Sequence, residues 1–166
     1  MSFKGRIFME KTNVMRLLDG KKIKYTPHQY DNTITDGETI ASILNQDAKR
    51  VFKTLVTRSN TNTYYVFVVP VCESLNLKKA AKAVGVKSIE MIKQKELLPL
   101  TGYIHGGCSP IGMKKAFKTV FHNTFTDFET VMFSAGKVGY QVEINPQDAI
   151  SYIGAETADL TDEKEI

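Results

Sequence analysis

The sequence has few of the residues that build disulfide or metal frameworks, with two cysteines, three histidines and no tryptophan in 166 residues. Cys72 and Cys108 cannot form a network of bridges, and no Cys/His spacing matches a zinc motif. No stretch approaches the roughly 20 apolar residues that span a bilayer, and the N-terminus lacks the apolar core of a signal peptide. We therefore expect a cytoplasmic protein with no metal, no cofactor and no membrane attachment.

The sequence also lacks internal repeats, linkers and low-complexity segments, which predicts a single domain over residues 1–166. It carries 22 basic and 18 acidic residues, a formal net charge of +4. An acidic run at residues 159–165 leaves the rest of the chain more basic. A basic body favours a polyanionic partner, nucleic acid first, although ordinary solubilising charge explains the same balance.

Hydrophobic periodicity and turn residues predict a mixed succession of helices and strands. Helices are expected from Thr12, Asp36, Leu75, Ser88 and Asn145. Strands are expected at 23–30, 51–57, 63–71, 117–121, 130–134 and 139–144, and the acidic tail is expected to fray. This order predicts an α/β or α+β domain around one mixed, strongly curved sheet.

The segment 101–115 has more glycine and small residues than any other. Gly106 and Gly107 allow positive φ and a close approach to the backbone, and Pro110 fixes the exit of the loop. Lys114 and Lys115 follow with positive charge. Successive N–H groups in such a loop suit an oxyanion, a carboxyl ester or a phosphate, but a glycine-rich turn between strands fits the pattern equally well.

Three side chains are further candidates for chemistry. Alternation over 51–57 places Lys53 on a strand face with apolar neighbours, where its charge favours a bound anion; a solvent-reaching lysine on an edge strand is the alternative. Cys108 lies inside the glycine loop and is a candidate nucleophile, although a small buried hydrophobe is the more common role. His105, in the same loop, is a candidate acid or base.

Five short strings occur in one order along the chain: Phe52-Lys53-Thr54-Leu55, Leu77-Lys78-Lys79-Ala80-Ala81, Thr101-Gly102-Tyr103, Gly106-Gly107-x-Ser109-Pro110-x-Gly112 and Val142-Glu143-Ile144-x-Pro146-x-Asp148. With these strings the chain resembles the YbaK/EbsC family over about residues 11–163. That family consists of trans-acting aminoacyl-tRNA deacylases related to the editing domain of bacterial prolyl-tRNA synthetase. Its members closest to this pattern hydrolyse Cys-tRNA(Pro).

The resemblance implies a YbaK-like domain with a barrel-like sheet whose pocket receives the 3′ end of a charged tRNA. Lys53 matches the family's essential lysine, and Cys108 falls at a variable position of the loop. The positions implied for substrate binding are Tyr30, Thr54, Gly106, Gly107, Ser109, Pro110 and Asp148.

The mechanism implied is substrate-assisted. The cysteinyl thiol attacks its own ester carbonyl and leaves as a small cyclic thioester, so the enzyme class is hydrolase or lyase. The expected substrates are Cys-tRNA(Pro) and also Cys-tRNA(Cys), and the expected partner is prolyl-tRNA synthetase. A deacylase for Ala-tRNA(Pro) and a non-catalytic module that binds tRNA or the synthetase are the alternatives.

Overall fold

The computed structural model of the protein describes residues 9–162. Its helices are α1 Asn13–Gly20, α2 Gly37–Ile43, α3 Leu77–Val84, α4 Gln94–Thr101 and α5 Pro146–Ile153. Its strands are β1 Tyr25–Gln29, β2 Phe52–Ser59, β3 Tyr64–Pro70, β4 Ile89–Met91, β5 Lys118–His122, β6 Val131–Ser134, β7 Tyr140–Ile144 and β8 Glu156–Ala158. Short 3₁₀ turns lie at Ala48–Arg50 and Asn123–Asp127.

The strands form a three-stranded sheet in the order β1-β7-β6 and a five-stranded sheet in the order β4-β2-β3-β5-β8. The smaller sheet is antiparallel, whereas β3 and β5, and then β5 and β8, pair in parallel. One parallel bridge, Val51 to Met132, links the two sheets. The mixed α/β class is confirmed, but the expected single barrel-like sheet is two sheets that do not close.

The main core fills the space between the two sheets. Along β3, Val66 and Val68 belong to this core, while Phe67 and Val69 pack on the other side with α3. Because successive strand residues point to opposite faces, the five-stranded sheet is covered on both sides. This explains the continuous apolar run in β3, and it places α3 on the side of the sheet opposite the main core.

Local sequence signals explain most helix boundaries. The side chain of Asp36 accepts a hydrogen bond from Thr39 N at 3.0 Å and caps α2. Gly85 ends α3, and Gly154 ends α5, each in the left-handed conformation. The Asn145 side chain caps α5, with Pro146 at its first position. These features are the side-chain caps and C-terminal glycines that the sequence predicts.

The helix predicted from Ser88 is wrong. Residues 89–91 form β4 on the edge of the five-stranded sheet, with Ile89 paired to Ser59. Ser88 hydrogen-bonds Asn60 in both directions, through its carbonyl and its N–H, at 3.1 Å each. The helix begins later, as α4, and includes Pro99.

The prediction of a frayed tail is wrong up to residue 162. Residues 156–158 form β8, Leu160 is fully buried, and Thr161 bridges to Leu75. Residues 163–166 and the first eight residues, predicted as an extension, lie outside the described part. No helix between residues 9 and 162 has the length and apolar character that crossing a membrane requires.

Candidate active site

A cavity of about 370 Å³ lies where the start of α2, the first half of β2, the glycine loop and the β6–β7 hairpin meet. The loop and strand residues predicted from sequence meet here, since Lys53, Thr54 and Gly106 all line it. Four polar side chains from elsewhere join them: Thr35, Asp36, Ser134 and Gln141. The walls are completed by apolar side chains such as Leu97 of α4.

Lys53 brings a positive charge to this cavity without a fixed counter-ion. Its Nζ donates a long hydrogen bond of 3.5 Å to the carbonyl oxygen of Val71. Within residues 9–162 it forms no ion pair with a carboxylate. An ammonium held in this way is available to an incoming anion or ester oxygen.

The carboxylate among the lining residues is that of Asp36, and it already caps helix α2. Its carboxylate accepts hydrogen bonds from Thr39 N and Thr39 Oγ1, at 3.0 and 2.7 Å. These bonds, with a smaller effect from the charge of Lys53, hold the pKa of Asp36 below its usual range. The site therefore contains one free cation and one carboxylate committed to capping a helix, among the residues described.

Four buried side-chain polar atoms in the described part of the chain lack a hydrogen-bond partner. Two of them, Thr54 Oγ1 and Gln141 Oε1, belong to residues that line the cavity, and the other two are Tyr30 Oη and Gln29 Oε1. The Tyr30 hydroxyl lies near Gln141 without a well-formed hydrogen bond, and burial raises its pKa. Since buried polar groups are normally paired, the two lining atoms are open to hydrogen bonds from a ligand or from water.

The two glycines of the loop are required for different reasons. Gly106 has φ +88, and a Cβ at this position would lie 2.6 Å from Thr35 Cγ2. A Cβ on Gly107 would lie 3.0 Å from the backbone nitrogen of Val138 in the β6–β7 hairpin. The loop can therefore pack this closely against Thr35 and Val138 only with glycine at these two positions.

The backbone donors of the loop are not equivalent. Gly107 N–H already donates to Ile104 O at 2.9 Å, so it is not available to a ligand. Gly106 N–H has no acceptor within the part of the chain that the structure describes. Of this predicted pair, Gly106 is thus the donor open to a ligand.

Two other predicted loop residues support the loop itself. Ser109 is fully buried, and its Oγ accepts a hydrogen bond from Ile111 N at 3.3 Å. Pro110 is buried and borders a different, smaller depression near Tyr152. Tyr103 Oη donates to Ile111 O at 2.5 Å. These contacts fix the exit of the loop rather than lining the cavity.

Cys108 and His105 both reach the cavity but differ in exposure. Burial raises the pKa of the Cys108 thiol to about 12, against a smaller opposite effect of Thr101. This thiol is therefore protonated at neutral pH, unlike an activated nucleophilic cysteine. His105 is exposed at the cavity mouth.

Asp148 lies elsewhere. It borders a wider depression of about 870 Å³ with Glu143 and Asn145. A further cavity of about 360 Å³ is lined by Glu73, His122 and Thr161, whose polar groups are bonded to one another. No cluster of three or more metal-ligating side chains occurs within residues 9–162.

Sequence reasoning did not identify Thr35, Ser134 or Gln141 as site residues. Ser134 and Gln141 face each other across the β6–β7 hairpin, and they reach Lys53 only because the two sheets pack together. The sequence signal for Asp36 was that of a helix cap. The cavity role of these residues follows from tertiary packing and leaves no local pattern in the sequence.

Comparisons with known proteins identify relatives along most of the chain. The sequence profile of the aminoacyl-tRNA editing domain matches residues 31–152. This range contains all the residues that line the cavity and begins directly after Tyr30. A protein of Enterococcus faecalis, provisionally named Cys-tRNA(Pro)/Cys-tRNA(Cys) deacylase EbsC, is 40% identical over 154 residues, which are 92% of this chain and 94% of the relative.

Solved structures share the fold. A protein provisionally described as a trans-editing enzyme for prolyl-tRNA synthetase superposes with a TM-score of 0.79 at 21% identity, over 90% of this chain and 95% of the other. A hypothetical protein superposes with a TM-score of 0.83 at 20% identity, over 90% and 99%. At these identities the two structures establish the architecture alone.

Proposed function

Because the chain belongs to the aminoacyl-tRNA editing domain family, whose activity is deacylation of charged tRNA, we propose that it removes cysteine from Cys-tRNA(Pro) and also from Cys-tRNA(Cys). The E. faecalis relative matches this chain over almost the full length of both proteins. Its name specifies cysteinyl-tRNA, which supports cysteine as the amino acid removed. The observation that carries the proposal is a cavity with a free ammonium and unsatisfied polar atoms, whose only described thiol is unreactive.

The nucleophile is the substrate's own side chain. The cysteinyl thiol releases its proton to solvent, and its sulfur attacks the ester carbonyl carbon to form a carbon–sulfur bond. The tetrahedral intermediate then expels the ribose oxygen, which takes a proton, and the amino acid leaves as a small cyclic thioester. Holding sulfur and carbonyl together in a closed cavity lowers the barrier through proximity.

The protein groups in this reaction bind and orient. Lys53 neutralises negative charge on the ester or the terminal nucleotide, and Gly106 N–H donates to the oxygen that becomes negative in the intermediate. The hydroxyl of Thr54, the amide of Gln141 and the hydroxyl of Tyr30 supply polar contacts to the aminoacyl-ribose. A buried and protonated Cys108 supports this division of labour, because it leaves the attack to the substrate.

We also propose that prolyl-tRNA synthetase is a partner, which presents the mischarged tRNA. The proposal is supported by the structural neighbour that shares the fold and is described as a trans-editing enzyme for this synthetase.

The test is discharge of labelled Cys-tRNA(Pro), Cys-tRNA(Cys) and Ala-tRNA(Pro), each with and without prolyl-tRNA synthetase. We expect both cysteinyl esters to be discharged and the alanyl ester to be stable, since alanine has no thiol. S-methylation of the cysteinyl group should abolish the reaction. Unchanged hydrolysis of the S-methylated ester would disprove the mechanism, and preferential discharge of Ala-tRNA(Pro) would disprove the substrate. Binding without any discharge would make the protein a tRNA-binding module.

A further inference from the structure

A strip of exposed side chains leads from α4 to the mouth of the cavity. It consists of Lys95, Leu98, Ile104 and Lys114, and we call it the α4 rim. Leu98 and Ile104 are 51% and 55% exposed, the two highest values among the large apolar side chains described. Lys95 and Lys114 are also exposed.

The four residues are neighbours on one surface. Lys95 and Leu98 are three residues apart on α4 and so share a helix face. Lys114 lies at the end of that helix, since its Nζ donates to Pro99 O at 3.5 Å and its backbone N–H donates to Thr101 O at 3.0 Å. Ile104 follows the helix and directly precedes His105 and Gly106, which line the cavity.

The charge around this strip is one-sided. Residues 87–118 contain six lysines and two glutamates. Both glutamates are occupied, because Glu90 and Glu96 pair with Arg58 at 3.2 and 3.0 Å. No carboxylate in the described part of the chain pairs with Lys95 or Lys114. Lys118 pairs with Glu156 at 3.7 Å, and the other five lysines leave an excess of positive charge in the segment that carries the apolar side chains.

Exposed apolar side chains between free lysines suit a single-stranded nucleic acid, whose phosphates meet cations while its bases pack on the surface between them. The cavity volume of about 370 Å³ is near the lower end of the ~300–1,000 Å³ typical of ligand pockets. This volume suits the aminoacyl group and its sugar, which leaves the preceding nucleotides on the surface outside the cavity.

We propose that the α4 rim binds the unpaired 3′ end of the substrate tRNA, with Lys95 and Lys114 on phosphates and with Leu98 and Ile104 against bases. This inference rests on the proposed function, because it assigns a surface to the substrate of the same cavity. It adds residues outside the cavity that govern binding of RNA and not the chemical step.

The first test measures binding of a fluorescent, uncharged, single-stranded RNA ending in CCA. The double variant Lys95→Glu with Lys114→Glu should raise Kd at least tenfold. The slope of log K against log salt should fall by about 1.4, since each phosphate contact of a single strand contributes ~0.7. The matched control is Lys78→Glu with Lys82→Glu, which changes the net charge equally on α3, across the five-stranded sheet. It should change Kd less than twofold.

The second test concerns the apolar pair. Leu98→Ser with Ile104→Ser should raise KM for charged tRNA about fivefold or more, because the bases lose their apolar contacts, and should leave kcat within twofold. The control is Leu77→Ser, another exposed apolar residue, on α3. All the substituted side chains are exposed, so thermal unfolding should be unchanged.

Three outcomes would overturn the inference. They are wild-type protein that fails to bind the RNA up to about 1 mM, equal weakening by the rim and α3 pairs, and rim variants that lose only their stimulation by the synthetase. The last result would make the rim a protein-docking surface. If wild-type protein discharges no charged tRNA, the proposed function fails, whereas RNA binding by the rim is still decided by the first test.

Discussion

At the scale of single residues, Lys53 lines the cavity but makes only one long hydrogen bond to the rest of the described protein. We predict that Lys53→Ala lowers kcat/KM for Cys-tRNA(Pro) by about 100-fold, the effect of removing one well-placed donor. Unfolding free energy should change by less than about 0.5 kcal/mol, because Nζ makes only the 3.5 Å contact to Val71 O. Single-turnover discharge and urea unfolding measure the two effects.

Lys49→Ala is the matched control for this variant. Lys49 is an exposed lysine on the 3₁₀ turn before β2 and does not line the cavity, so it should retain activity within twofold. A Lys53→Ala protein with full activity would remove this residue from the mechanism, and one that is strongly destabilised would make its role structural.

The pH dependence of the discharge rate distinguishes the substrate thiol from Cys108 as the nucleophile. An ordinary cysteine thiol ionises near pH 8.5, whereas the pKa of Cys108 is raised to about 12 by burial. If the substrate thiol attacks, the enzymatic rate rises with pH and levels off near the substrate's pKa. If Cys108 attacks, the rate keeps rising toward pH 12. We predict the first profile, after subtraction of spontaneous hydrolysis.

Cys108→Ser provides the direct comparison. The hydroxyl is close in size to the thiol, so the variant should keep the same pH profile and a rate at pH 7 within about threefold. A loss of 100-fold or more with normal stability would restore Cys108 as the nucleophile.

Site residues with a local signature could be predicted, and those without one could not. Lys53 is unusual within an apolar strand, and Gly106 stands in a glycine-rich loop, so both are visible in a short window of sequence. Thr54 belongs to the same family string as Lys53. Ser134 and Gln141 are ordinary strand residues whose importance arises when one sheet packs on another, and Asp148 shares a family string but lies in another depression.

At the scale of elements, the segment after Ser88 shows how tertiary pairing overrides a local helix signal. Ser88 resembles a helix cap followed by apolar residues, but residues 89–91 gain more by extending the edge of the five-stranded sheet beside β2. Strand preference depends on cross-strand neighbours, which a sequence window does not contain. The helix predicted to end before Gly85 is confirmed as α3, although it begins at Leu77 and not at Leu75.

An ion cluster connects the start of β2 to the smaller sheet. Glu143 of β7 accepts hydrogen bonds from Thr130 Oγ1 at 2.6 Å and from Arg50 at 2.8 Å, and its other oxygen contacts His28 at 2.8 Å. The bond from Thr130, then those from His28 and Arg50, outweigh burial and lower the pKa of Glu143 to about 2. The cluster fixes Arg50, three residues before Lys53.

We predict that Glu143→Gln lowers the unfolding free energy at pH 7 by about 1–2 kcal/mol. The full shift would give more, but 23% of the side chain is open to solvent, which screens the charges. Because the folded-state pKa is depressed, the stabilisation is present above the ordinary pKa of 4.5 and is lost as the pH falls toward 2.

Urea unfolding at pH 7, 4 and 2.5 measures this loss. The two proteins should converge in stability at the lowest pH, and a difference that is constant across the series would contradict the assignment. The control is Glu129→Gln, at an exposed position just before β6. This substitution should change neither the stability nor its pH dependence.

At the scale of the whole molecule, the end of the chain completes the larger sheet. β8 pairs with β5, Lys79 pairs with Asp159 at 2.9 Å, and Leu160 fills the core between α3 and the sheet. The sequence shows only an acidic, polar tail here, because the partners of these residues lie some 40–90 positions earlier. Local composition therefore predicted fraying, whereas long-range contacts hold the segment in place.

His122 joins this closing segment to the rest of the fold. Its Nδ1 accepts the Leu160 N–H at 3.0 Å, so the ring proton is on Nε2, which faces Thr161 Oγ1 at 3.2 Å. The Thr161 hydroxyl in turn donates to Glu73 at 2.6 Å. Burial lowers the pKa of His122, although the charges of Glu73 and Asp159 oppose it. Protonation of Nδ1 would remove the acceptor for Leu160.

We predict a loss of stability in mild acid that depends on His122. Its pKa is lower in the folded state than the ordinary 6.5, so below pH 6.5 the unfolded chain binds a proton that the folded chain does not. The unfolding free energy should fall by up to ~1.4 kcal/mol per pH unit until the folded-state pKa is reached. This window lies above the one in which Glu143 titrates.

The measurement is urea unfolding between pH 7.5 and 5 for the wild type and for His122→Asn. The variant should be less stable at pH 7.5, since asparagine replaces only part of the hydrogen-bonded chain. The gap between the two proteins should narrow as the pH falls below 6.5, because only the wild type loses the contribution of His122. A gap that stays constant would show that His122 does not titrate between the two states, and the docking of the C-terminal segment would then be independent of pH in this range.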